Sequence, residues 1–380
     1  MNPAQVSPFH AITISRLAHQ LQSEGRSIIH MEFGQPSTGA PPRAIAVAKT
    51  MLDAEPGAYW ESPPLRERIA QLYADRHGLT IDPARIILTC GASPALVLAI
   101  TALFSPGDHI AFVRPGYVAY RNTVAALGRV PVEIEADAST RFQMAASHIE
   151  SLTVPPAGLI VASPANPTGT MIDRAELAAI AAVARARGIR IISDEIYHGL
   201  SYAEPSHSML EFDPNAIIIN SFSKYFSMVG WRLGWIVAPP GTADTLRAYL
   251  GNMFLTAPTL SQHVALCTMD ETEILEQYRD TYRSNRAQLL DALPQLGLSE
   301  IAPPDGAFYI WANISAFTDD SLDFCRRLLT DTGVTIAPGI DFDPVNGHRF
   351  ARFSLAVSEA ETSEAITRFA AWLKGQPRIK

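Results

Sequence analysis

From about residue 85 to about residue 240 the chain alternates between short apolar runs typical of strands and longer segments typical of helices. Short apolar runs, rich in β-branched residues, predict strands at ARIILTC, HIAFV, GLIVAS, IRIISDE, AIIINSF and RLGWIVAP. Helix-like segments follow the first three runs, namely PALVLAITALF, YVAYRNTVAAL and DRAELAAIAAVARARG. This alternation predicts an α/β fold with a mainly parallel central sheet. Because the strand runs lack polar alternation, we expect helices to cover both faces of that sheet.

The third helix-like segment carries clear signals at both of its ends. Asp173 can cap the first turn, and Gly188 stands where a left-handed residue would end the helix. Arg185 and Arg187 in the last turn complement the negative end of the helix dipole. We expect this helix to pack on the sheet.

A second, smaller α+β domain is predicted from the two ends of the chain. After about residue 275 the charged segment EILEQYRDTYRSNRAQLLDAL precedes a mixture of short strands and helices. The first residues of the chain are expected to join that region. The pattern therefore predicts a large domain over residues 45–280 and a small domain built from residues 1–44 and 281–380.

The charge of the chain limits the class of its partners. The formal net charge is −8, whereas proteins that bind nucleic acids or anionic membranes present a basic surface. Neither partner is expected, and small molecules are favoured. The three cysteines lack CxxC spacing and the ten histidines form no HExxH motif, so we predict no disulfide framework and no metal site.

The N-terminal sequence indicates a cytoplasmic protein. It lacks the basic start and the continuous apolar run of a signal peptide. No segment reaches the roughly 20 uncharged apolar residues that span a bilayer.

Distinctive polar or aromatic residues follow five of the predicted strands. In open α/β sheets, ligands bind beyond the carboxyl ends of the strands, so these residues are expected at one site. The strand ends carry Gly91 and Ser93, then Tyr117, Asn166, Asp194 and Lys224.

Two of these residues carry charges in otherwise apolar surroundings. Burial and the nearby cation Arg232 would lower the pKa of Lys224 and make its amine a better nucleophile, as a Schiff-base lysine requires. Asp194 closes a buried strand, where an unpaired carboxylate is costly, and it suits a protonated pyridine nitrogen such as that of pyridoxal phosphate. The alternatives are a solvated lysine for Lys224 and a helix cap or structural salt bridge for Asp194.

The remaining candidates suit the other groups of such a ligand. The turn Gly91-Ala92-Ser93 at a helix start, together with Arg232 and Ser221 or Ser223, can hold a phosphate. Asn166 and Tyr197 can donate to a phenolate oxygen, Tyr117 can stack on a ring, and Arg352 can clamp a carboxylate. Ordinary turns, core packing and structural ion pairs are the alternatives.

The order of these motifs resembles the class I/II aminotransferases, which are pyridoxal phosphate enzymes of fold type I in the aspartate aminotransferase superfamily. The motifs are GAS, RPGY, SPANPTGT, SDEIYHGL, SFSKYFSMVGWRLGW and ARFSLA, and the resemblance covers nearly the whole chain. It implies the fold-type-I architecture and the transfer of an amino group from an α-amino acid to a 2-oxo acid.

The resemblance also implies roles for individual positions. Lys224 resembles the Schiff-base lysine that moves the proton, and Asp194 resembles the partner of the pyridine nitrogen. Asn166 and Tyr197 resemble the ligands of the cofactor's phenolic oxygen, and Tyr117 resembles the stacking aromatic residue. The resemblance assigns phosphate binding to Ala92, Ser93, Ser221 and Arg232, and substrate carboxylate binding to Arg352 and the loop of Gly34.

Tyr59 resembles a tyrosine that reaches the phosphate of the partner subunit, which implies a homodimer with shared active sites. The segment after Tyr59 departs from the family, because Glu61-Ser62-Pro63-Pro64 runs directly into Leu65-Arg66 and omits several residues and a glycine. This shorter loop puts the role of Tyr59 in question. No second arginine for a dicarboxylate is identifiable, which favours neutral amino acids as substrates.

Three alternatives remain open from the sequence. A pyridoxal phosphate-dependent carbon-sulfur lyase or decarboxylase uses an almost identical set of residues. A non-catalytic module that binds the cofactor is a second alternative, although no DNA-binding domain flanks the site. Ser221-Phe222-Ser223-Lys224 also fits the SxxK motif of serine β-lactamases, but it follows a predicted strand where that family requires a helix start.

Overall fold

A computed structural model describes residue 6 and residues 8–54 and 57–379 of the chain. Residues 1–5 and 7, which the sequence assigns to the small domain, lie outside the described residues, as do residues 55, 56 and 380. No helix in the described ranges is both long and apolar enough to cross a membrane.

The described residues form strands in two separate sheets. In chain order the strands are β1 (Ile29–Met31), β2 (Ile86–Thr89), β3 (His109–Arg114), β4 (Val130–Glu135), β5 (Gly158–Ala162), β6 (Arg190–Asp194), β7 (Ile217–Ser221), β8 (Gly234–Val237), β9 (Tyr309–Asn313), β10 (Val334–Pro338) and β11 (Phe350–Ser354).

Helices connect and cover these strands. They are α1 (His10–Ser23), α2 (Pro42–Ala54), α3 (Pro63–His77), α4 (Ala92–Leu103), α5 (Val118–Ala126), α6 (Ala146–Ser151), α7 (Arg174–Ala186), α8 (Ala243–Met253), α9 (Thr259–Thr268), α10 (Thr272–Gln295), α11 (Ser321–Thr332) and α12 (Glu359–Leu373).

The larger sheet has the strand order β2-β8-β7-β6-β5-β3-β4. Strand β8 is antiparallel to β2 and β7, and the other neighbouring pairs are parallel. Side chains of β7 alternate between two hydrophobic clusters, with Ile218 in one and Ile217 and Ile219 in the other. Both faces of the sheet are therefore covered, and the predicted α/β fold with a mainly parallel sheet is confirmed.

Strand β4 is missing from the predicted strands. Its sequence VPVEIE places Glu133 and Glu135 on an edge strand that is only partly buried. An edge strand needs fewer apolar residues than a central strand, so its hydrophobic pattern is weak.

The local signals of helix α7 have the predicted structural effect. The Asp173 carboxylate accepts a hydrogen bond from the Glu176 amide at 2.8 Å, and Gly188 adopts a φ of +67° just beyond the helix. The buried residues of this helix are Leu177, Ile180, Ala181 and Ala184, a spacing that turns one face toward the sheet.

The smaller sheet combines strands from the two ends of the chain in the order β1-β10-β11-β9. Strands β1 and β10 are parallel, and the other two pairs are antiparallel. The division into residues 45–280 and the two flanking segments stays a prediction, and helices α2 and α10 continue across its proposed boundaries.

Candidate active site

A cavity of about 290 Å³ opens where the parallel strands of the larger sheet end. Asp194 closes β6, and Tyr117, Asn166 and Lys224 follow β3, β5 and β7. Neighbouring parallel strands end at the same edge of a sheet, so residues far apart in sequence meet there.

Most of the residues identified from the sequence line this cavity. They are Gly34, Ala92, Ser93, Tyr117, Asn166, Asp194, Tyr197, Ser223, Lys224, Arg232 and Arg352. Gly91 and Ser221 do not line the cavity but lie directly behind its wall. The Ser221 hydroxyl contacts the Ser223 hydroxyl and the Leu233 carbonyl oxygen, each at 2.9 Å. Tyr59 lies outside the cavity and is 81% exposed.

The Lys224 amine lies in the cavity and donates a hydrogen bond to the Gly34 carbonyl oxygen. Its nitrogen is 5.8 Å from the ring centres of both Tyr197 and Phe308. Burial first, and then the charges of Arg352 and Arg232, lower the pKa of this amine to about 8, while Asp194 acts in the opposite direction. Roughly a tenth of an amine with this pKa is neutral at pH 7, far more than for an ordinary lysine, which makes it a usable nucleophile and base.

Asp194 is held by two hydrogen bonds in a buried position. Its Oδ2 accepts from the Tyr120 hydroxyl at 2.6 Å, and its Oδ1 accepts from the Ile196 amide at 3.2 Å. Burial raises the pKa of Asp194, whereas both hydrogen bonds and the charge of Lys224 lower it. The carboxylate is thus oriented for a cationic partner in the cavity.

Tyr120 was missed by the reasoning from sequence. It lies three residues after Tyr117 at the start of α5, so the two rings share one face and meet edge to face at 5.6 Å. That spacing could have predicted Tyr120, because a second polar aromatic residue on the same helix face as Tyr117 also lies toward the cavity.

One end of the cavity is suited to a phosphate group. Gly91 has a φ of +106° and precedes α4, so the first amides of that helix lack acceptors within it. A Cβ at Gly91 would lie 2.5 Å from Nη2 of Arg232, so only glycine lets the guanidinium approach the helix start. Arg232 is itself exposed and adopts a left-handed φ of 51°.

The other end carries a buried guanidinium. Arg352 is 2% exposed and lies between the rings of Tyr309 and Phe342, whose centres are 4.4 Å and 4.6 Å from its Cζ. Its Nη1 donates to Asn166 Oδ1 at 2.9 Å and its Nη2 donates to the Glu32 carbonyl oxygen. Its Nε is buried without a hydrogen-bond partner, and each Nη carries a second hydrogen, so the guanidinium keeps donor capacity for a carboxylate.

Tyr309 is the second residue of the cavity lining that the sequence did not reveal. Its hydroxyl lies 2.8 Å from the Tyr197 hydroxyl, and a Cβ at Gly34 would lie 2.2 Å from the same oxygen. Tyr309 belongs to the fully buried strand β9, so its sequence pattern indicates only a core strand.

The donors and the aromatic residue of this site fit pyridoxal phosphate. Arg232 and the glycine-lined start of α4 suit its phosphate, and the buried Asp194 carboxylate suits its ring nitrogen. Asn166 Oδ1 is occupied by Arg352, so the amide nitrogen of Asn166 remains to donate to the phenolic oxygen. Tyr117 lines the same cavity, where its ring would offer a stacking surface to the cofactor.

The chain resembles known proteins along almost its whole length. Residues 27–369 match the family model described as aminotransferase class I and II. The chain is 42% identical to the valine–pyruvate aminotransferase of Mycobacterium tuberculosis, with 98% of each chain covered. It is 30% identical to the aspartate/prephenate aminotransferase of Thermus thermophilus, with 96% of each chain covered.

Solved structures of aminotransferases also superpose on almost the whole chain. An aminotransferase from Mycobacterium tuberculosis superposes with a TM-score of 0.96 at 41% identity and 99% coverage of both chains. The aspartate aminotransferase from Thermus thermophilus with maleate superposes with a TM-score of 0.90 at 29% identity, covering 96% of this chain and 97% of the other.

Proposed function

The chain belongs to the class I and II aminotransferases, and from that premise we propose that it transfers the amino group of a neutral α-amino acid with an aliphatic side chain to a 2-oxo acid. Its family depends on pyridoxal phosphate and carries out transamination, so the lyase, the non-catalytic module and the SxxK hydrolase are not favoured. Ser221 to Lys224 also form a turn after β7 and not the start of an α-helix.

The proposed chemistry divides between the cofactor and this chain. When bound, pyridoxal phosphate supplies an aldehyde carbon that bonds amines and a protonated ring that accepts the electron pair released at the α-carbon. Asp194 holds the proton at the ring nitrogen, and Tyr120 holds Asp194. Lys224 takes the proton from the α-carbon and returns it, a role suited to an amine with a pKa of about 8.

Arg352 and Asn166 orient the substrate in this proposal. Arg352 is held by Glu32, Asn166 and two aromatic rings, so its guanidinium is already in place when a carboxylate arrives. Such preorganisation reduces the entropy lost on binding and fixes which α-carbon bond faces Lys224.

The charges of the cavity support a neutral substrate. Among the described residues that line it, the cations are Lys224, Arg232 and Arg352, and each already has a role in this proposal. The same lining includes the apolar side chains of Phe9, Phe33 and Val229, to which the carboxylate of an acidic side chain would bind poorly. The relative at 42% identity is named a valine–pyruvate aminotransferase, which also favours an aliphatic donor.

A panel of amino donors tests this substrate class. Purified holoenzyme is given valine, isoleucine, alanine, phenylalanine, aspartate or glutamate, each with pyruvate or 2-oxoglutarate, and the new amino acid is quantified. We expect the highest kcat/KM for an aliphatic donor with pyruvate. A higher kcat/KM for aspartate than for valine would contradict the proposal.

A homodimer with shared active sites is also proposed. Leu52, Tyr59, Met253 and Leu255 are exposed by 68%, 81%, 43% and 57%, and such apolar exposure is typical of interfaces. The segments of Tyr59 and Leu255 are adjacent, because the Thr256 hydroxyl donates to the Trp60 carbonyl oxygen at 2.9 Å. Sedimentation analysis should give twice the chain mass, and Tyr59→Ala should weaken cofactor retention. A monomer with full activity would contradict this proposal.

The cytoplasmic location predicted from the sequence is retained as a proposal. Cys90, Cys267 and Cys325 are all unpaired thiols, as is usual in a reducing compartment. Fractionation of cells that express the tagged protein would test it.

A further inference from the structure

A buried polar cluster lies behind the cavity wall that Asp194 and Tyr197 form. Glu195 and His198 belong to the same turn after β6, but neither lines the cavity. Glu195 is 1% exposed and His198 is 4% exposed. The protonation states of these two buried side chains matter, because a buried charge without a partner is costly.

The two carboxyl oxygens of Glu195 have very different surroundings. Oε1 accepts hydrogen bonds from the Ser208 hydroxyl at 2.9 Å, the Met209 amide at 3.0 Å and the Ser193 hydroxyl at 3.2 Å. Oε2 receives no hydrogen bond and faces Nδ1 of His198 at 3.5 Å. Oε1 is therefore surrounded by donors, and Oε2 is the oxygen of this carboxyl group on which a proton would lie.

The tautomer of His198 follows from its other nitrogen. Nε2 lies 3.1 Å from the Ser163 carbonyl oxygen, which can only accept, so Nε2 must carry a hydrogen. In a neutral imidazole Nδ1 then presents a lone pair toward Glu195 Oε2. Two lone pairs would repel each other at this distance unless one proton lies between them.

We propose that Glu195 carries this proton on Oε2, facing Nδ1 of His198, and that the two residues form a positioning pair for the cofactor site. His198 follows Tyr197 directly and contacts Ser163, which lies three residues before Asn166. The pair therefore joins the turn that carries Asp194 and Tyr197 to the loop that carries Asn166.

The surroundings place the proton on Glu195. Burial raises the pKa of Glu195 to about 8 although its three hydrogen bonds lower it, and the negative charge of Asp194 adds a smaller increase. Burial lowers the pKa of His198, and so do the charges of neighbouring basic groups. The ionisable groups around the pair are Tyr73, Arg76, His77, Asp194, His207 and Glu211. At neutral pH Glu195 is therefore protonated beside a neutral His198 in this proposal.

This arrangement has a consequence for Asp194. A second buried carboxylate one residue away would raise the pKa of Asp194 and weaken its hold on a ring proton. With Glu195 neutral, the negative charge of this turn resides on Asp194 alone. The pair thus contributes to cofactor binding without touching the cofactor.

Infrared spectroscopy of the holoenzyme tests the proton directly. At neutral pH we expect the carbonyl stretch of a protonated carboxylic acid, and Glu195→Gln should remove it. Glu211→Gln is the matched control, because Glu211 pairs with Arg174 in the same cluster and its loss should leave the band. A wild-type spectrum without the band, or a band that Glu195→Gln leaves unchanged, would overturn the proposal. The infrared band does not depend on which reaction the enzyme catalyses.

Cofactor retention tests the positioning role. The amide of Glu195→Gln can place an N–H toward His198 Nδ1 where the acid places its O–H, so this variant should keep the wild-type affinity and the wild-type pH profile. Glu195→Ala leaves Nδ1 without a donor and should weaken cofactor affinity roughly tenfold. Equal losses in the Gln and Ala variants, or an acidic limb of the pH profile that moves in Glu195→Gln, would show that the carboxylate charge matters and would overturn the proposal.

Discussion

Tyr120→Phe is the most informative substitution at the cofactor site. It deletes one hydroxyl, keeps the ring, and removes the 2.6 Å hydrogen bond to Asp194 Oδ2. The Ile196 amide still donates to the other carboxylate oxygen. The variant therefore isolates what one hydroxyl contributes to the charge of Asp194.

The size of the effect follows from the burial of both partners. A hydrogen bond to a charged group contributes about 1.5–3 kcal/mol, and one pKa unit corresponds to about 1.4 kcal/mol. The Tyr120 hydroxyl stabilises the carboxylate form, so its loss should raise the pKa of Asp194 by roughly 1–2 units. In the proposed mechanism activity requires ionised Asp194, so it should fall as the pH drops through this pKa. The acidic limb of kcat/KM should therefore move to higher pH by a similar amount.

The assay is the pH dependence of kcat/KM with a saturating 2-oxo acid, together with the dissociation constant of pyridoxal phosphate. Tyr202→Phe serves as the control, because the Tyr202 hydroxyl donates to the Ala307 carbonyl oxygen and does not contact Asp194. The control should leave the acidic limb in place. An unchanged acidic limb in Tyr120→Phe, with native cofactor content, would refute the proposed coupling.

Three further substitutions test the rest of the site. Lys224→Ala removes the amine, so turnover should be lost. After borohydride reduction, mass spectrometry should find no cofactor bonded to the protein, and an adduct on another residue would contradict the assignment. Arg352→Lys loses the planar fork held between two rings, so KM for the amino donor should rise roughly thirtyfold, from about 2 kcal/mol of lost binding, with the cofactor spectrum unchanged. Gly91→Ala brings a Cβ to 2.5 Å from Arg232 Nη2 at a φ of +106°, so an equilibrium titration should show at least tenfold lower cofactor affinity. Gly188→Ala is the control, because its Cβ meets no atom within 4 Å and only the melting temperature should fall.

A residue could be predicted to lie at the cavity when it shares a helix face with another cavity residue. A residue that reaches the cavity through contacts between distant elements could not. Tyr120 could have been inferred from its i+3 spacing to Tyr117 at the start of α5. Tyr309 could not, because FYIW has the pattern of a core strand, and its role follows from contacts with Gly34, Tyr197 and Arg352 that are distant in the chain.

The sequence by itself determined the features that depend on short stretches of chain. Apolar runs such as IRIIS and AIIIN specify buried strands, and Asp173 and Gly188 specify the ends of α7, because periodicity and capping act within a few residues. The order of the motifs also determined the family and the cofactor.

Only the tertiary structure decided how the charged groups are held. The placement of Arg352 between two rings, the hydroxyl on Asp194 and the contact of Glu195 with His198 each depend on segments brought together by packing. Burial then shifts their pKa values, and burial is a property of the whole fold. The sequence therefore predicted which groups meet at the cavity, and the fold set their protonation and orientation.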